Sequence, residues 1–276
     1  GVSKMPSPNP GIHSVLMKHG MGEEWRKYLT VLNLRNYGRT PATVVTEMIY
    51  VHSKLLIVDD AVAVIGSANI NDRSLNGDGD TELAAVVVDK AEAAMTDMGQ
   101  GVRVVTRKFA RELRMNLWRK HLGMLVDEIT TGVQKETQVP NGIQIDRPLS
   151  TESVSGMLSL ARKNALTYQN VFLQVPSNSH RTLTTGRNLA FPILDAKEGT
   201  RDFSRPAALT PAFMSGSKPK IDEAHKELRA NIRGFFVEMP LDWGAEQGET
   251  PQPPAGRTEA IANRRHVTAE DTELPA

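Results

Sequence analysis

Residues 50–74 read YVHSKLLIVDDAVAVIGSANINDRS, and they set an imidazole, His52, two positions before an ammonium, Lys54, in an otherwise apolar run. Side chains two apart on an extended chain project to the same side. His52 and Lys54 are therefore expected to point together, with Ser53 and Leu55 pointing the other way. Gly66 and Ser67 close the next apolar run, where a residue without a side chain permits close backbone approach. Asn69 follows two positions on, and a hairpin pairing of the two runs would bring its amide to the same end of the sheet. An imidazole, a fixed positive charge and a neutral donor suit a phosphodiester. The ammonium and the amide hold non-bridging oxygens, while the imidazole attacks phosphorus or moves a proton to the leaving oxygen. That chemistry calls for no metal and no cofactor.

The elements that must position these groups follow from the apolar patterning. EMIYVHSKLLIV, AVAVIGSA and ELAAVVVD are three runs rich in β-branched residues, with Asp59 and Asp60 as the turn between the first two. Being apolar at nearly every position, they read as strands covered on both faces. The expected class is α/β, a central mixed β-sheet flanked by helices. LTVLNLR reads as a preceding strand and NYGRTPA as a turn or surface loop. After the sheet, RKFARELRMNLWRKHLGM places Phe109, Leu113 and Leu117 at helical spacing, a stripe expected to face the sheet with Trp118 and Leu122 beside it. Its other face is basic: residues 103–120 hold seven Lys/Arg against one acid, Glu112. Residues 124–150 read as loop-rich, and a second long helix is expected from about residue 150 until Pro176. A surface loop over 192–220, a helix over IDEAHKELRAN and a short strand at FFVE complete a C-terminal helical extension.

Composition bounds the rest. With 276 residues and a formal net charge of +1, attraction to phosphate must come from local patches and not from the chain as a whole. The absence of cysteine removes thiolate metal sites and disulfides. No apolar run reaches the roughly 18 residues of a membrane span, so work at a membrane would be done from its surface. The chain opens on Gly1 with a Pro/Ser-rich lead-in, which reads as a fragment or a processed chain.

His52, Lys54, Asp59, Gly66, Ser67 and Asn69 fit H-x-K-x4-D-x6-G-S-x-N, and on these residues the chain resembles the phospholipase D superfamily. The block from Tyr50 to Asp89 is similar to the second signature block of eukaryotic phospholipases D. LTVLNLRNYG, RKFARELRMNLWRKHLG, ARKNALTYQNVFLQVP and KELRANIRGFFVEMP resemble family segments in the same order. The resemblance implies the phospholipase D fold, here as one of two catalytic halves spanning residues 11–243, after a lead-in at 1–10 and before a flexible tail at 244–276. It implies that His52 is the general acid toward a choline leaving group, and then the base for water or an alcohol. Lys54 and Asn69 would bind phosphoryl oxygens, with Ser67 supporting them. Asp59 would order the turn backbone, and Glu82 would hydrogen-bond the histidine and fix its tautomer. The implied reaction turns phosphatidylcholine into phosphatidic acid and choline through a phosphohistidine, with transfer to primary alcohols. Phospholipid membrane surface, a cytoplasmic peripheral location and anionic phosphoinositides are implied surroundings. Arg35, Arg39 and the basic helix are candidate headgroup contacts, and nucleic acid is not an expected partner.

The pattern departs from the family in one respect. His13, His19, His121, His180, His225 and His266 all lack a lysine two residues on, so the chain holds one signature block where the family uses two. The missing partner would be an N-terminal half of the same enzyme. Two alternatives stay open: a single-block phosphodiesterase or nuclease that dimerises, and a non-catalytic relic that binds lipid.

Overall fold

The computed structural model describes residues 15–16, 18–22, 24, 28–75, 80–90, 92–127, 134–173, 175–178, 193–194, 201–202 and 209–241. The expected lead-in (1–10), the tail (244–276) and residues 192, 195–200 and 203–208 of the loop expected over 192–220 lie outside them.

Strand β1 (Leu32–Arg39) pairs antiparallel with β2 (Val44–Met48), from Arg35 opposite Met48 to Arg39 opposite Val44. NYGRTPA is thus strand as far as Arg39, and only residues 40–43 turn. Tyr37 explains the extension, because it packs on the buried core with its ring edge-on to Tyr168 at 6.4 Å. Thr40 closes the turn, its backbone N–H donating to the Thr43 carbonyl at 2.8 Å and its Oγ1 accepting from the Thr43 N–H at 3.0 Å.

The run over residues 47–58 is two strands rather than one. β2 ends at Met48 and β3 (Lys54–Val58) begins six residues later, because the first belongs to the β1 ladder and the second to another sheet. His52 therefore sits in the crossing segment, immediately ahead of the strand it was expected to occupy. β3 pairs antiparallel with β4 (Val62–Gly66); after the one-turn helix α1 (Asp72–Leu75), β5 (Ala84–Val87) joins the other edge of β4. Asp59 and Asp60 make the hairpin turn as expected. Both are left-handed, with φ of 52° and 55°, and Ala61 N–H donates to the Val58 carbonyl at 2.9 Å.

The α/β class holds, with antiparallel pairing in every described ladder and the strands grouped into small sheets. The β3–β4–β5 sheet is not covered on both faces by the described residues. Leu56, Val64 and Val86 face one another across its three strands on the side that carries Lys54, and Leu56 and Val86 are 54% and 64% exposed. Ala63, on the opposite side, is fully buried.

β6 (Ala94–Gly99) and β7 (Val102–Thr106) form a bulged hairpin leading into α2 (Lys108–His121), which packs on β3 and β4. The buried row of α2 is Ala110 and Arg114, continued by Trp118 and Leu122. It does not run through Phe109, which is 41% exposed. The row is rotated by one position because Arg114 must reach a buried carboxylate. Gly123, at φ +67°, stops the helix in the left-handed conformation that glycine adopts without penalty. β8 (Leu125–Asp127) and β9 (Gln134–Glu136) form a short ribbon, so the loop-rich stretch carries some strand.

Ser150 caps α3 (Thr151–Val171), its Oγ accepting from the Ser153 N–H at 3.1 Å. The helix ends five residues before Pro176, where Phe172 turns extended and bridges to Leu209. The ribbons β10 (Ile193–Leu194) with β11 (Arg201–Asp202) and β12 (Met214–Ser215) with β13 (Lys218–Pro219) precede α4 (Ile221–Asn231) and β14 (Phe236–Glu238). The helix and short strand expected at IDEAHKELRANIRGFFVE are both present. β14 pairs with β1, and one core fills the space between this sheet, α3 and α4 with Val44, Tyr168, Phe172, Leu228 and Val237. Burying such side chains contributes about 1.5–3 kcal/mol each. A second core, with Leu122, Met124, Ile143 and Leu160, joins the end of α2 to α3. No described helix is long and apolar enough to cross a membrane.

Candidate active site

The hairpin register determines what stands together. Lys54, the first residue of β3, lies opposite Gly66, the last of β4, and Gly66 lies opposite Ala84, the first of β5. All three strands therefore end at the same margin. Gly66 is there because nothing larger fits: a Cβ would come within 2.7 Å of Ala84 Cα and Cβ, and closer still to the Leu83 carbonyl oxygen. Beyond it, Ser67 N–H donates to the Leu83 carbonyl at 2.9 Å, and Ser67 Oγ accepts from the Leu83 N–H at 3.0 Å. This clasp continues the β4–β5 pairing past the strand ends and holds Ser67 beside Glu82.

The Glu82 carboxyl is held below the ordinary carboxylate range, first by a hydrogen bond from Ser67, then by one from Ser74, with Lys54 and Arg73 adding favourable charge. Lys54, Ser67 and Glu82 thus converge at one margin. In this structure Glu82 is bound to the two serine hydroxyls. Lys54 is half-buried, and its ammonium donates to the His52 backbone carbonyl at 2.6 Å. The imidazole of His52 is exposed and stacks on Tyr50, with ring centroids 6.1 Å apart and planes at 20°. Asn69 is exposed in the bend after Ser67, on the same connection that leads into α1. Asp59 is exposed at the far end of the hairpin, away from the margin that bears Lys54.

Two residues at this margin, Ser74 and Arg73, were not singled out in the sequence, and Asp60, at the other end of the hairpin, was read only as a turn residue, with no partner assigned to it on Arg114. Ser74 reaches Glu82 because Asn71 caps α1, its Oδ1 accepting from the Ser74 N–H at 2.9 Å. Arg73 on the same turn pairs with Asp80 at 2.6 Å. The NDRS that follows Asn69 is a capping signature and could have indicated both. Asp60 and Arg114 form a buried ion pair behind the hairpin. The signal was an arginine in the buried i, i+4 row of an amphipathic helix, a position that demands a carboxylate.

Several of the candidate headgroup contacts are engaged within the fold. Arg35 donates to Thr46 Oγ1 at 3.2 Å and lies 5.7 Å from the Tyr168 ring centroid. Arg39 pairs with Asp222 at 2.7 Å. On the basic helix, Lys108 pairs with Glu92 at 3.1 Å, Arg107 donates to the Asp89 carbonyl at 2.5 Å and Arg114 is buried.

Taken as chemistry, the margin offers an exposed imidazole, an ammonium, a serine clasp and a carboxylate held in its charged form. A family model described as phospholipase D matches residues 36–175, which include the whole margin. Phospholipase D1 of Mus musculus is 33% identical over 246 residues, covering 89% of this chain and 19% of that protein. Phospholipase D zeta 2 of Arabidopsis thaliana is 36% identical over 228 residues, covering 80% of this chain and 20% of its own length. Phospholipase D1 of Homo sapiens is 33% identical over 255 residues, covering 91% and 20%. The chain spans about a fifth of the length of these curated relatives.

Proposed function

The chain belongs to the phospholipase D family, and from that premise we propose that it supplies one wall of a phosphodiester-cleaving site whose other wall is a second histidine–lysine block. The observation that carries the reading is the common margin, where Lys54, Ser67 and Glu82 meet at the strand ends with His52 immediately ahead of β3. The substrate is phosphatidylcholine, met at a membrane surface on the cytoplasmic side.

In the first step a histidine of the other wall attacks phosphorus. The P–O bond to choline breaks as His52, in its protonated form, gives its proton to the departing oxygen. Lys54 and Asn69 hold the non-bridging oxygens and stabilise the charge that builds on them, a large effect where water is excluded. In the second step neutral His52 takes a proton from water, the new oxygen bonds to phosphorus, and the P–N bond breaks to release phosphatidic acid. A primary alcohol in place of water gives a phosphatidyl alcohol. Glu82, charged at neutral pH, is within the field of Lys54 and would orient the His52 ring once the site closes. The residues in these roles are nitrogen and oxygen groups that suffice without a metal, so chelators are expected to leave the rate unchanged.

The test is turnover of phosphatidylcholine in mixed micelles by the complete protein, with ethanol as a competing acceptor. The expected result is choline release with phosphatidylethanol, abolished by His52→Asn with the circular dichroism spectrum intact. Retained turnover in His52→Asn would remove His52 from the mechanism. Activity on nucleic acid by a homodimer of this chain alone would favour the single-block nuclease instead.

A further inference from the structure

We propose that the Asp60–Arg114 pair is a positioning device that fixes the register of the β3–β4 hairpin, and with it the place of Lys54 and Ser67, without touching substrate. This rests on the phosphodiesterase reading of the same margin. The pair is closely made. Arg114 Nε donates to Asp60 Oδ1 and Nη2 to Asp60 Oδ2, both at 2.7 Å, while Nη1 donates to the Ile145 carbonyl at 2.7 Å. The Trp118 ring lies 4.9 Å from the guanidinium carbon, and Arg107 N–H donates to the Asp60 carbonyl at 2.9 Å. Asp60 is 2% and Arg114 9% exposed; the turn residue is held by Arg114 of α2 and by the Arg107 N–H, and Arg114 is anchored in turn on the Ile145 carbonyl.

Other devices that could fix the register are weak here. The β-turn over residues 58–61 has both central residues left-handed, a conformation that ordinarily uses Asn-Gly, whereas here two aspartates occupy it, and with Val58 opposite Val62 the loop includes Ala61 as well. A one-residue slip would flip every side chain of β3 to the other face, and burial normally forbids this. Along β3 burial discriminates little, because Leu55 and Leu56, on opposite faces, are 38% and 54% exposed and no residue of the strand is fully buried, although Ala63 of β4 is. A slip would also move Lys54 off Gly66, the one β4 residue without a side chain. Buried ion pairs contribute little net stability compared with apolar replacements, and specification of register is their best-attested use.

The test uses the complete protein that carries this chain, with Asp60→Asn, Arg114→Met and the double variant. Each single variant leaves a buried group without its partner and lowers Tm. The double variant removes both charges and recovers part of the lost Tm, the remaining deficit being the amide at position 60 and the Ile145 carbonyl, left without their donor and acceptor partners. If the pair sets register, the double variant still exchanges the β3 and β4 amides at least about tenfold faster than wild type, because the hairpin visits slipped pairings. Its kcat on phosphatidylcholine then stays about a hundredfold down, the cost of roughly 1 Å of misplacement, with KM within about twofold. Wild-type exchange and kcat returning together with Tm would overturn the proposal and leave the pair merely structural. Should the double variant fail to fold, Arg114→Lys serves, since it keeps the charge but lacks the two-pronged geometry; the same fast exchange and low kcat are expected, and wild-type values would refute the idea. A wild-type protein without diesterase activity would defeat the phosphodiesterase reading alone, and the exchange comparison would then decide the register claim.

Discussion

Replacing Gly66 by alanine sets two physical effects against each other at the centre of the site. Intrinsic propensity favours the change, since glycine in a strand is destabilising by roughly 0.5–1 kcal/mol relative to alanine. Steric contact opposes it. The added carbon would stand 2.7 Å from both Ala84 Cα and Cβ, and the Leu83 carbonyl is nearer still. Ordinary contacts between such atoms exceed about 3.4 Å, so β5 must retreat by the better part of an ångström, and two of the three obstructing atoms are backbone that cannot rotate aside. Overpacking of this kind costs about 1–3 kcal/mol or more. The retreat also loosens the two Ser67–Leu83 hydrogen bonds, worth about 1 kcal/mol each. The net expectation is a loss of about 3–4 kcal/mol, a large part of the 5–15 kcal/mol that holds a typical domain together. Urea unfolding followed by circular dichroism measures it as a lowered midpoint at constant slope. A variant as stable as wild type, or more so, would mean that β5 yields freely, and the account of the margin as a rigid clasp would fail.

Asn164 is fully buried on α3, where its Nδ2 donates to the Arg233 and Phe236 carbonyls at 2.8 Å each and its Oδ1 accepts from the Arg233 N–H at 3.1 Å. Asn164→Ala strands three backbone groups and should lower stability by about 3 kcal/mol or more in the same unfolding assay. Lys54→Ala should cut kcat about 10²–10³-fold, as for loss of one oxyanion donor, and a near-normal rate would make the lysine structural. His121 is held below its ordinary value of 6.5, first by burial and then by Lys120, and its Nδ1 is buried without a hydrogen-bond partner among the described residues. Folded protein therefore binds fewer protons there than unfolded protein, so stability falls as pH drops below 6.5 and levels off beneath the lowered folded value. Tm measured from pH 7.5 down to 5 should show this fall, and His121→Phe should flatten it.

The signature residues were legible because the chemistry restricts both type and spacing. The hairpin was legible because two aspartates interrupt runs of β-branched residues. The helices appeared where Ser150 supplies a cap and where the apolar period is 3.6. What could not be read was partnership. The break at 49–53 exists because two ladders compete for one apolar run, and no local pattern says which residue changes allegiance. The same limit misplaced the stripe on α2: Phe109, Leu113 and Leu117 form as good a row as Ala110, Arg114 and Trp118 until Asp60 is known to wait beneath the second. The doubly covered sheet rests on runs apolar at nearly every position, and such a pattern does not say which layer does the covering.

The pairing of Leu32 with Glu238 has a bearing on synthesis. On the ribosome β1 must wait, one edge unpaired, while some two hundred residues emerge before β14 can lie against it. Tyr168 and Val44 can meet earlier, yet the layer they belong to is finished only by this late arrival. Translation pauses between α3 and α4 would lengthen the exposure of that edge, and a stop codon ahead of Phe236 would leave it permanently open to pairing with other nascent chains.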